Sequence, residues 1–113
     1  MLPEKNLDDI HSAWNSICTK LGTGGKDLHT LSNRPGAEQR WFHASVSRDC
    51  VFIERAGDPS KNSKISGIYP IRYQEFALLA PYYNDYAMHR PNEIRRTDSH
   101  MSSYIITLIA ELL

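Results

Sequence analysis

Residues 65–113 read ISGIYPIRYQEFALLAPYYNDYAMHRPNEIRRTDSHMSSYIITLIAELL, and this stretch decides where the core of the fold lies. Ile65–Ile71 has the apolar, branched character of a short strand, interrupted by Gly67 and ended near Pro70, which cannot donate to a ladder. Tyr73 to Met88 follows with helical spacing. Phe76, Leu79, Tyr83 and Tyr86 mark one face, and Leu78 with Tyr82 an adjacent one. Pro81 removes a backbone donor and clashes with the preceding turn, so a break is expected near Ala80, with Pro81 opening a new short helix. A second helix is expected over Met101–Leu113, capped by Asp98 or Ser99, with Tyr104, Ile105, Leu108, Ile109 and Leu112 as its core stripe. Ile106 and Leu113 fall off that stripe. A helix this apolar must be wrapped on most sides, by its own fold or by another subunit.

Upstream, Arg40 to Ala56 carries the clearest strand pattern. A two-residue turn at Arg48-Asp49 pairs Val46 with Val51 and Ala44 with Ile53 on a core face. Ser47 with Cys50, Ser45 with Phe52 and His43 with Glu54 then share the opposite face. Arg-Asp suits a type I′ turn less well than Asn-Gly, so a longer loop with a shifted register is the alternative. Leu7, Ile10, Trp14, Ile17, Cys18 and Leu21 recur every three or four residues, predicting a helix over Leu7–Leu21 with Asn6 as its cap. Gly22-Thr23-Gly24-Gly25 stops it. Lys26 to Gln39 is dense in turn formers and reads as a loop with one short extended piece.

With 113 residues the chain is expected to form a single domain, residues 1–113, large enough for one core without metals or disulfides. Lys+Arg and Asp+Glu are both 13, which argues against attachment to nucleic acid or anionic membrane by bulk charge and leaves little repulsion against self-association. Cys18 and Cys50 stand alone, outside any ligand spacing, and read as buried thiols of a reducing compartment. The first residues lack the basic and apolar regions of a signal peptide, and no window approaches the roughly 18 consecutive apolar residues of a membrane span. A cytoplasmic location is the expectation.

No GxSxG, Walker loop, HExxH or paired Cys/His ligand set is present, and no catalytic residue, metal site or cofactor is expected. The glycine-rich tetrad ends a helix, whereas a phosphate cradle should open one. His43 and Glu54 could form an acid/base pair, but an enzyme would also need a cleft gathering them with a tyrosine. All six tyrosines lie after residue 68, a bias that suits an interface or aromatic pocket as well as a core rim. Between the two C-terminal helices, Arg90, Arg95 and Arg96 precede Ser99, Ser102 and Ser103, a set that could collect a phosphate or other anion at a helix N-terminus.

Ile65-Ser66-Gly67, Ile71, Glu75-Phe76, Tyr83, Glu93-Ile94-Arg95 and Ser102-Ser103-Tyr104-Ile105 form a pattern that resembles small proteins of mobile elements, carried by integron gene cassettes and phage. The resemblance spans about residues 27–113. It departs at Arg72, where a capping Ser or Thr is usual, and at Pro81. It implies a small α+β module in a bacterial setting and transfers no activity.

These readings converge on an α+β fold: an N-terminal helix, a three-stranded antiparallel meander, and two C-terminal helices packed on one sheet face. The expected function is a non-enzymatic interaction module, a homodimer joined through Tyr82, Tyr86, Ile106 and Leu113. The alternative is a nucleic-acid- or anion-binding module using Arg90, Arg95, Arg96, Ser99 and Ser102.

Overall fold

The Arg48-Asp49 turn forms as the hairpin pattern requires, with both residues in the left-handed region at φ 51° and 61°. A type I′ turn needs positive φ at both central positions and twists the strands in their natural sense. The computed structural model of the chain describes residues 2–32, 36, 39–94 and 101–113. Around this turn, strands β2 (Trp41–Ser47) and β3 (Cys50–Glu54) pair in the expected register, from Ser47 opposite Cys50 to His43 opposite Glu54.

The sheet has four strands, in the order β1-β2-β3-β4 and antiparallel throughout, where three were expected. The additional strand is β1, Lys26–His29, which pairs along β2 from Lys26–Ala44 to His29–Trp41. Its four residues contain one apolar side chain, Leu28, too short a pattern to separate from the loop around it. At the other edge, β4 is Tyr69–Ile71, a shortened form of the expected Ile65–Ile71 strand, while Ile65 itself is buried in the core.

Helix α1 spans Ile10–Leu21, starting three residues later than its periodicity suggests. Asp9 caps it by accepting from the Ser12 amide at 3.0 Å. Asn6 instead accepts from the Asp8 amide, turning the chain before the helix begins. Gly22, at φ 64°, returns its N–H to Cys18 and ends the helix. Gly25 shows why this linker needs glycine: a Cβ there would lie 2.3 Å from the Ala44 carbonyl oxygen.

The break at Pro81 is real. Helix α2, Tyr73–Leu79, runs into a 3₁₀ turn at Ala80–Tyr82 and continues as α3, Tyr83–Ala87, so the first expected C-terminal helix is two. Arg72 replaces the usual capping hydroxyl, and the Glu75 carboxylate accepts from the Arg72 amide at 3.4 Å. The last helix, α4, is Ser102–Leu112 with Met101 at its N-terminal boundary; the expected caps Asp98 and Ser99 lie outside the described residues.

All the helices cover one face of the sheet. Phe42, Ala44, Val51, Ile53 and Ile71 point at them and are fully buried, meeting Trp14, Ile17, Phe76, Leu79, Tyr83 and the apolar side chains of α4. The Phe42 and Tyr104 rings meet edge-on at 4.9 Å. Thr107 is the buried polar side chain of α4: its hydroxyl donates to the Ser103 carbonyl and accepts from the Leu31 amide, fastening the exit of β1 to the helix. Residues before α1 form a strap. Asn84 exchanges hydrogen bonds with the Lys5 backbone, and the Tyr83 hydroxyl donates to the Pro3 carbonyl at 2.7 Å. The ammonium groups of Lys5 and Lys20 reach the carbonyls of Leu113 and Leu112, where cations complement the negative end of α4. Among the described residues no helix is long and apolar enough to cross a membrane.

Candidate functional site

Strand alternation sends every second side chain away from the helices, and among the described residues no helix covers the face they form. Across the sheet these are Asp27 and His29 on β1, Trp41, His43, Ser45 and Ser47 on β2, Cys50, Phe52 and Glu54 on β3, and Pro70 on β4. Trp41, Cys50 and Phe52 are half-buried yet do not belong to the core or to the shell packed on it.

One end of this outer face is closed by the loop after β3. Asp27 organises it. Its carboxylate accepts from His43 Nδ1 at 2.8 Å and from the Gly57 and Asp58 amides at 3.2 and 3.4 Å, and it pairs with Lys61 Nζ at 3.5 Å. Burial raises the Asp27 pKa, but these donors outweigh it and hold the carboxyl below its ordinary value. Lys61 also sits 4.3 Å above the Trp41 ring, a cation–π contact, and His29 meets the same ring edge-on at 5.0 Å. The Trp41 amide donates to the Asn62 carbonyl, pinning the loop down.

This cluster has the composition of an acid/base site. His43 Nε2 lies 3.1 Å from the Gly24 carbonyl, so protein oxygens face both ring nitrogens. Glu54 stands opposite His43, yet His43 turns to Asp27 instead. The tyrosines belong to the helices or to the helix-facing side of the sheet, so His43, Glu54 and a tyrosine do not gather in one cleft. Among the described residues no group of three His, Cys, Asp or Glu side chains is placed to hold a metal. Both thiols are free, and burial pushes each one's pKa up, away from the reactive thiolate. An open cavity of about 250 Å³ between the start of α1 and Leu113 is lined by Asn6, Asp8, Asp9 and Ser12, with Asp9 already committed to Ser12.

The residues expected at a dimer contact are dispersed. Ile106 is 3% exposed, because α4 is wrapped by its own subunit and the position off its stripe still faces protein; this corrects its assignment to an interface. Leu113, Tyr82 and Tyr86 are half-buried against the core, with the Tyr86 hydroxyl 3.3 Å from Ser32 Oγ. Of the anion-binding set, Arg90 is spoken for: its Nε lies 2.8 Å from Asp85 and its guanidinium 3.8 Å from Glu4. Ser102 opens α4, while Arg95, Arg96 and Ser99 lie outside the described residues. The large apolar side chains most exposed are Leu78 at 67% and Ile68 at 62%. Ile68 lies one residue before β4 begins.

Comparisons with protein-family models, with curated proteins and with solved structures find no match.

Proposed function

We propose that the chain is a non-enzymatic interaction module that works as a homodimer, joined through the outer face of its sheet rather than through α4. The observation that carries this reading is the row Ser45–Phe52–Pro70. A phenylalanine in mid-sheet is paired with a proline on the edge strand, and among the described residues no helix is packed on it. Apolar side chains on a sheet face are ordinarily buried by a second layer. Zero formal net charge offers little repulsion to a second copy as that layer. The His43–Asp27 cluster is then the structural border of the surface. A bacterial setting on a mobile element belongs to the same proposal and rests on the sequence resemblance, and a cytoplasmic location rests on the isolated thiols Cys18 and Cys50. The anion-binding alternative is weakened because Arg90 is paired with two carboxylates.

Sedimentation equilibrium at roughly 10–100 µM, the range of weak dimers, tests this. The chain is expected at twice its subunit mass and Phe52→Lys at the single mass with its circular dichroism unchanged. A chain monomeric throughout that range overturns the proposal.

A further inference from the structure

We propose that the second copy is seated by a twofold axis lying in the interface and crossing the strands at the Ser45–Phe52–Pro70 row, so that Glu54 of each subunit meets Arg72 of the other. This rests on the reading of the outer face as the dimer contact and adds how the copies are oriented.

The registers place the charges. Toward the hairpin turn from the central row lie Cys50 and, continuing β4 in extended backbone at φ −94° and ψ 162°, Arg72. On the other side lies Glu54, opposite His43. Glu54 and Arg72 therefore flank the Ser45–Phe52–Pro70 row on opposite sides, each about 7 Å from it at two residues of strand rise. Neither charge is firmly used within the subunit. Glu54 has no ion-pair partner among the described residues. Arg72, with its side chain 66% exposed, reaches Glu75 only at 4.0 Å.

Two face-to-face arrangements put Phe52 near the centre. An axis along the strands keeps the ends together, placing Glu54 near Glu54 and Arg72 near Arg72, which like-charge repulsion disfavours. An axis across the strands exchanges the ends and forms the opposite-charge pair twice, as an isologous contact requires. Those are the aligned face-to-face packings. Edge pairing is opposed at both edges. Pro70 removes a donor in the middle of β4, and β1 carries Lys26 and Asp27.

The test is a charge swap followed by sedimentation equilibrium. Glu54→Arg and Arg72→Glu should each weaken the dimer by about tenfold or more, and the double variant should return to within about threefold of the unchanged chain. Isotope-filtered NOEs in a mixed labelled dimer give a second readout: contacts are expected from the Phe52 ring to Phe52 of the other copy, and from Glu54 to Arg72. Singles without effect, or a double as weak as the singles together, overturn the orientation even where Phe52→Lys still dissociates the dimer. A monomeric unchanged chain removes both the orientation and the dimer reading.

Discussion

Two residues at the hairpin turn hold backbone that neither prefers. Arg48 and Asp49 both adopt positive φ, where a Cβ crowds the following carbonyl at a cost of roughly 1 kcal/mol per residue or more. The double substitution Arg48→Asn with Asp49→Gly keeps the turn and relieves that crowding. It should raise stability by about 1 kcal/mol, read as a higher urea midpoint at unchanged slope. The opposite outcome is expected at Thr107, whose hydroxyl accepts from the Leu31 amide inside the core. Thr107→Val keeps the shape and leaves that donor without a partner, costing about 1–3 kcal/mol in the same denaturation experiment. This buried hydroxyl thus serves the chain leaving β1, which no periodicity along α4 announces.

Elements were legible from sequence in proportion to how long their patterns run. The hairpin, with alternation sustained over β2 and β3, was readable down to its register. The Pro81 break followed from the proline ring alone. β1 escaped because Lys26–His29 is held by its pairing with β2 and by Asp27, contacts between residues distant in sequence. The same distance hid the polar cluster: Lys61 lies in a loop whose composition is that of any solvated turn. Asp27 gives this element a pH signature. Its carboxyl is held below the ordinary value of about 3.9, so the stabilisation is fully present above that value and is lost as pH falls through and below it. Urea midpoints taken from about pH 6 to pH 3 should fall for the unchanged chain and fall less steeply for Asp27→Asn.

At the scale of the whole molecule, the sheet divides two chemistries. One face is the core, where α4 buries nearly all of its apolar side chains within its own subunit. Counting apolar residues showed that they had to be shielded and left open that α1, α2 and α3 would do the shielding. The other face shows alternation with aromatic rather than polar side chains at Trp41 and Phe52, a departure from the usual polar exterior that was visible in the strand pattern itself.

The strap ahead of α1 has a kinetic meaning. Its hydrogen bond from Lys5 to Leu113 spans 108 residues of chain, and that from Tyr83 to Pro3 spans 80, so each forms only across a very long loop. Closing such a loop brings little reward until the intervening structure has drawn its ends together. The strap is therefore a latch on a molecule already assembled: it slows escape from the native state far more than it hastens arrival there.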